Sequence, residues 1–325
     1  MNGDRCVLNA ASGHKKILVI KLGALGDFVQ AMGSAAAIRA FHRGAAITLL
    51  TTRPYAEFAR LAPYFDNVWI DERPSWGNPA RVLRLARRLR RGRFDRVYDL
   101  STRTRSALYF WLTRRPGFKA HGPEWSGIVR GASHRQPDTP ERRRMHTLDR
   151  EADQLRWAGI PGPIPAPDLS WATADIARFA LPRDYALLIP GGAPHRPEKR
   201  WPIAHFIELA KRVAAAGIVP VVIGGPDERD LGSAIAAAVP EARDLTGQTS
   251  FADIVAIARG AKRAIGNDTG PMHLAVVAGA PATVLYSSAS DPALTAPRGE
   301  DVVILCSDNL ADLPVDEVVR TLSLA

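Results

Sequence analysis

The chain is poor in cysteine: Cys6 and Cys306 are the only two in 325 residues, and they lie far apart. That count argues against a disulfide framework, and the spacing is that of no metal module. A tail thiol and a buried thiol in a reducing compartment are expected instead. Long apolar runs are missing too, with nothing near the roughly 20 residues that span a bilayer. The opening MNGDRCVLNAASGHK lacks the apolar core of a secretory signal and reads as a disordered lead-in. The expected location is therefore cytoplasmic. No Asp-x-Asp triplet occurs, and the histidines are scattered, so no bound metal and no cofactor is expected. There is no Walker loop and no Gly-x-Ser-x-Gly elbow.

What is present is an ordinary globular composition, 46% hydrophobic and 23% charged, in a length that suits two domains. The formal net charge of +10 is unevenly placed. Residues 1–170 hold 29 basic against 15 acidic side chains, and residues 171–325 hold 14 against 18. Net charge speaks to partners rather than fold. An even basic coat would suit nucleic acid, which is not expected here. A basic half joined to a mildly acidic half points to two tasks, one of them facing something anionic.

Short apolar runs alternate with helical patterns along the chain. Strands are expected at 17–20, 46–52, 67–70 and 96–100, with helices over 27–42 and 81–91. In the second helix Val82, Leu85, Ala86 and Leu89 form an apolar stripe. The pattern degrades over 117–144, and a helix resumes at 147–158. Pro161, Pro163, Pro165 and Pro167 then alternate with other residues, which favours an extended linker and a domain boundary near 165–172. The second half repeats the grammar, with strands at 185–189, 218–223, 263–265 and 282–286. Helices are expected at 202–216, 270–278 and 315–324. Such alternation predicts an α/β chain of two doubly wound, Rossmann-like domains. Ligands of such sheets sit at the carboxyl ends of the strands.

Several strand ends carry chemistry. After the first strand comes Lys21-Leu22-Gly23-Ala24-Leu25-Gly26-Asp27. Its two glycines, three apart, fall short of the dinucleotide fingerprint. Asp27 reads either as a helix cap or as a carboxylate at the cleft mouth. Gly266-Asn267-Asp268-Thr269-Gly270-Pro271-Met272-His273 opens a helix whose free N–H groups form a seat for a diphosphate; a capped turn is the plain alternative. Gly191-Gly192, followed by Lys199-Arg200-Trp201-Pro202, suits an anion, although such a basic pair is commonly solvated. Glu228 in Gly224-Gly225-Pro226-Asp227-Glu228 is placed to accept ribose hydroxyls, or to complement a helix dipole. Arg103 and Arg105 follow the fourth strand and can hold phosphate or carboxylate. The runs 87–93 and 142–144 are expected to be solvated surface, the first on the polar face of an amphipathic helix, with some attraction for anionic lipid.

In this order and spacing the motifs resemble the lipopolysaccharide heptosyltransferases, glycosyltransferase family nine, over about residues 16–322. The most specific match is Asp268-Thr269-Gly270-Pro271-Met272-His273. The resemblance implies a GT-B fold, an acceptor-binding domain at 14–168 and a donor-binding domain at 169–325, with the last helix free to pack back on the first. It implies a metal-independent, inverting glycosyltransferase that moves heptose from ADP-heptose to an anionic, lipid-linked core acceptor at the inner membrane face. Asp27 matches the general base, and Lys199 a donor-binding lysine. Asp268, Thr269, Gly270, His273, Gly191, Gly192 and Glu228 fall on the donor side, and Arg103, Arg105 and Gly26 on the acceptor side. The alternatives are another nucleotide sugar or acceptor on the same fold, a binding protein without turnover, and a sugar-nucleotide epimerase.

Overall fold

A computed structural model describes residues 15–114 and 122–322. Cys6, the N-terminal lead-in and the start of the 117–144 stretch lie outside the described residues. The first half builds one parallel sheet from β1 (Lys16–Ile20), β2 (Ala46–Thr52), β3 (Asn67–Asp71), β4 (Arg96–Asp99), β5 (Glu124–Gly127) and β6 (His134–Arg135). The second half builds another from β7 (Tyr185–Ile189), β8 (Val219–Val222), β9 (Arg243–Asp244), β10 (Arg263–Asn267), β11 (Ala282–Ser287) and β12 (Val302–Ser307). Their orders are β3-β2-β1-β4-β5-β6 and β12-β11-β10-β7-β8-β9. In each, the chain reverses direction beside a central strand, so the loops after β1 and β4, and after β7 and β10, meet at a switch point. Central strands such as β1 and β7 are buried on both faces, which is why they read as apolar runs; β10 is equally buried but carries Arg263 and Asn267 at its ends.

The two halves share a core. Phe28, Val29 and Met32 of the Leu25–Phe41 helix belong to the same buried cluster as Met272, Leu274 and Ala275 of the Gly270–Val277 helix. Two glycines allow this approach. A Cβ on Gly270 would come within 2.4 Å of Leu25, and one on Gly26 within 2.7 Å of the His273 ring. The proline-rich connection crosses the first helix at Gly33, where a Cβ would stand 2.2 Å from the Pro165 carbonyl oxygen.

Three expectations change. The helix Val315–Arg320 packs through Val318 into the core of the second half rather than back on the first. Cys306 is exposed, not buried; it lies near the end of β12, the edge strand of its sheet. Arg142 is buried and donates to Gln136 Oε1 at 2.6 Å and to Asp138 at 3.3 Å. That arginine closes a polar network under the 117–144 stretch and is not solvated surface.

Candidate functional site

A cleft of about 690 Å³ opens between the carboxyl ends of the two sheets. Gly26, Asp27 and Arg103 line it from the first half; Gly191, Gly192, Lys199, Glu228, Asp268, Thr269, Gly270 and His273 line it from the second. Residues named from five separate strand-end loops thus meet in one place. Arg105 does not reach it. That side chain lines an adjoining cleft of about 980 Å³ with Arg53, Arg73 and Arg81, and Arg103 and His195 border both clefts.

Asp27 lies in the first turn of the Leu25–Phe41 helix, but the N-cap position belongs to Ala24 and no side chain caps that helix. The carboxylate is therefore not spent on capping. Its Oδ2 accepts from the Arg103 guanidinium at 3.2 Å, with Asp27 26% and Arg103 69% exposed. An ion pair this open is weak, so Arg103 orients the carboxylate and can still yield to a ligand. Lys21, the one cation inside the glycine loop, is committed elsewhere. It is buried and donates to Glu151 Oε1 at 2.6 Å and to the Leu100 carbonyl at 3.0 Å.

On the opposite wall, Lys199 Nζ donates to Asp268 Oδ2 at 2.8 Å, and Ser290 Oγ donates to the same oxygen at 2.8 Å. Burial of the Asp268 carboxyl opposes its ionisation. Hydrogen bonds from Lys199 and Ser290 and the Lys199 charge outweigh that and hold its pKa below the ordinary carboxylate value. Thr269 occupies the N-cap of the Gly270–Val277 helix without using its side chain as a cap, and its buried Oγ1 has no partner. An orphaned donor at a helix N-terminus is a place where an anion gains hydrogen bonds.

His273 is buried against Gly26. Burial lowers its pKa to about 4, against the raising influence of Asp268 and Asp27. Gln30 Nε2 lies 3.2 Å from His273 Nδ1 and donates to the Thr295 carbonyl at 2.9 Å. Nδ1 therefore accepts, and the neutral ring carries its proton on Nε2. Glu228 is already engaged: Gly192 N–H donates to Oε1 at 2.8 Å and Gly225 N–H to Oε2 at 2.7 Å. A Cβ on Gly191 would meet the carboxylate at 2.0 Å. Each oxygen keeps a second lone pair for a hydroxyl donor.

One residue that holds this wall together was not named as part of the site from the sequence. Asn267, fully buried at the end of β10, donates to the Pro190 carbonyl at 2.9 Å and the Gly191 carbonyl at 3.1 Å. It also accepts from Trp201 N–H at 2.9 Å. Ser290, Gln30, His195 and Arg196 also line the cleft unannounced. Ser290 follows β11, so the strand-end rule was the signal available for it; Gln30 faces the cleft only because two helices from different halves meet. Among the described residues no group of three or more His, Cys, Asp or Glu side chains is placed to hold a metal ion.

The chain is similar in sequence and in fold to known proteins. Lipopolysaccharide heptosyltransferase 2 of Salmonella typhimurium is 28% identical over 232 residues, covering 66% of this chain and 65% of that protein. The matched segment thus spans just under two-thirds of that relative. Lipopolysaccharide heptosyltransferase 1 of Pseudomonas aeruginosa is 24% identical over 316 residues, 90% of this chain and 84% of the relative. Among solved structures, E. coli ADP-heptose lps heptosyltransferase II superposes with a TM-score of 0.76 at 23% identity, covering 94% of this chain and 97% of that one. The E. coli heptosyltransferase WaaC with ADP superposes at 0.73 and 20% identity, covering 94% and 98%. These superpositions identify the two-sheet architecture as GT-B. Residues 82–321, which carry the whole second wall of the cleft, match the family described as glycosyltransferase family 9 (heptosyltransferase), and the chain belongs to that family.

Proposed function

We propose that the chain transfers heptose from ADP-heptose to an anionic lipopolysaccharide-core acceptor, inverting the anomeric carbon and using no metal ion. The observation that carries this reading is the meeting, across one cleft, of Asp27 from the first half and the Lys199–Asp268 pair from the second. In this reading residues 14–168 receive the acceptor and residues 169–325 the donor. The Asp27 carboxylate takes the proton of the acceptor hydroxyl as that oxygen attacks the anomeric carbon. The bond from that carbon to the diphosphate breaks on the opposite face, which produces inversion. Lys199, the Thr269 hydroxyl and the N–H groups opening the Gly270–Val277 helix receive the departing diphosphate, the task a cation performs elsewhere. Glu228 takes the ribose hydroxyls with its remaining lone pairs, and the Gly191-Gly192 turn lets the nucleoside approach the backbone. His273 stays neutral and seats the two helices, so it adds no charge beside Asp27.

The adjoining cleft, with Arg53, Arg73, Arg81 and Arg105, suits the negative charges of the acceptor, and Arg103 and Gly26 stand between the two substrates. The chain acts in the cytoplasm, at the membrane face that presents the acceptor; among the described residues no helix is long and apolar enough to cross a membrane. The nearest rival is the same fold with another nucleotide sugar. Calorimetric titration with ADP, UDP and GDP in the presence of chelator separates the two. Preferential ADP binding supports the donor assignment. Preference for UDP or GDP refutes it, and binding of no nucleotide refutes the transferase reading.

A further inference from the structure

We propose that the outer face of two neighbouring helices in the first half, Pro79–Arg91 and Thr104–Thr113, is a docking surface for an anionic lipid bilayer. The first helix buries Leu85, Ala86 and Leu89 and turns Leu83, Arg84, Arg87 and Arg91 outward. These three arginines have no ion-pair partner among the described residues, and neither helix contains an acidic side chain. They differ from Arg88, which stacks on Trp69 at 4.6 Å, and from Arg90, which donates to the Leu112 carbonyl. The second helix buries Ser106, Tyr109, Phe110 and Thr113, so Leu108 and Trp111 point away from the core, 38% and 58% exposed. Arg90 ties the two helices side by side, making one layer of mixed basic and apolar character.

An amphipathic helix normally presents polar groups to water; here Leu83, Leu108 and Trp111 remain exposed among the described residues. Exposed leucine and tryptophan on the same two-helix layer as arginines without ion-pair partners among the described residues is the composition of an interfacial membrane contact. There the indole sits at headgroup level, and long basic side chains reach the phosphates. A nucleic acid would use the arginines but leave Leu83 and Leu108 unexplained. The position also fits. The N-terminal ends of these two helices deliver Arg81 and Arg105 into the arginine-lined cleft, so a bilayer under their outer face would bring lipid-borne material to its mouth. That benefit rests on the proposed function, whereas the surface itself does not.

The test is flotation of the full chain with vesicles free of any glycolipid, in about 0.15 M salt. One set contains phosphatidylethanolamine and phosphatidylglycerol, the other phosphatidylcholine alone. The wild type should float with the anionic set and not with the neutral one. At about fivefold per basic side chain near the lipid, an Arg84→Ser/Arg87→Ser/Arg91→Ser variant should lose partitioning on the order of a hundredfold. A Leu108→Ser/Trp111→Ser variant should weaken partitioning and abolish the blue shift of tryptophan emission on binding. ADP affinity, measured on both variants, reports that the cleft remains folded. Wild type that ignores lipid charge, or variants that float like wild type, overturns the proposal. So does tighter binding of RNA than of vesicles that the same arginine substitutions abolish. Vesicle binding that persists when no nucleotide binds would leave this surface standing and remove only the transferase reading.

Discussion

Replacing Lys199 with alanine separates what the cleft needs for folding from what it needs for ligand. The pair it makes with Asp268 is short, 2.8 Å, and neither side chain is well solvated, at 20% and 11% exposure. Exposed pairs contribute about 0.2–1 kcal/mol, and breaking a buried pair costs about 3–5 kcal/mol. Partial burial, and the bond that Ser290 still gives Asp268, place the loss for Lys199→Ala at about 2 kcal/mol. If the second half unfolds as a unit, this lowers its Tm by about 4–8 °C. The loss should also depend on pH in a particular sense. The folded Asp268 pKa is depressed, so its stabilisation is present above the unfolded value near 4 and is lost as pH falls through the lower folded value. Without Lys199, the hydrogen bond from Ser290 is the main influence left to oppose burial, and the variant should be most impaired near neutrality and approach wild type in acid. An Asp268→Asn/Lys199→Ala double variant removes both charges and should recover most of the stability while still failing to bind ADP. Urea denaturation from about pH 3 to 8 checks the first half of this and calorimetry the second. A Lys199→Ala protein as stable as wild type at pH 7, or a double variant no better than the single, would show that the pair does not hold this wall of the cleft.

Two further outcomes follow from the same geometry. Asn267→Ala removes three hydrogen bonds from a fully buried position and strands the groups they served, so a loss of about 2–4 kcal/mol in urea denaturation is expected; nucleotide affinity should fall with it, because the Gly191-Gly192 turn loses its tie. Burial lowers the folded His273 pKa to about 4 from the ordinary imidazole value of 6.5, so the unfolded chain binds the extra proton between those pH values and stability declines as pH drops through that window. His273→Gln should flatten this part of the stability profile relative to wild type, and an unchanged slope would contradict the assignment.

The sequence made the sheets legible where strands are buried on both sides. β2 and β7 lie where their apolar and β-branched runs begin and end, because parallel strands covered on both faces favour such residues. Shorter strands escaped. β6 and β9 have two residues each, too few for a period, and β5 lies in a stretch whose glycines and arginines hide it. The helix Arg53–Leu61 begins with Arg53-Pro54 directly after β2, so its start looks like a loop. The helix Thr104–Thr113 was masked by its leading arginines. Site residues followed the same rule. Those on loops after strands, from Asp27 to His273, stand together as their positions at strand ends suggested. Arg105 went to the neighbouring cleft because the Thr104–Thr113 helix turns it toward Trp76 and the Pro74 carbonyl, a rotation that no spacing rule supplies. Asn267 was overlooked because its work is done inward, on backbone carbonyls, while the residues after it face the cleft.

In the proposed heptosyl transfer Asp27 is the base. The direct measurement is turnover of ADP-heptose onto a heptose-deficient core acceptor, followed by mass spectrometry in the presence of chelator, for wild type and Asp27→Asn. Wild type should add one heptose per acceptor. Asp27→Asn, which keeps the shape of the side chain and loses its charge, should bind ADP within about twofold and turn over about 10²–10⁴-fold more slowly. Transfer by Asp27→Asn at the wild-type rate, or no transfer by wild type, would contradict the account.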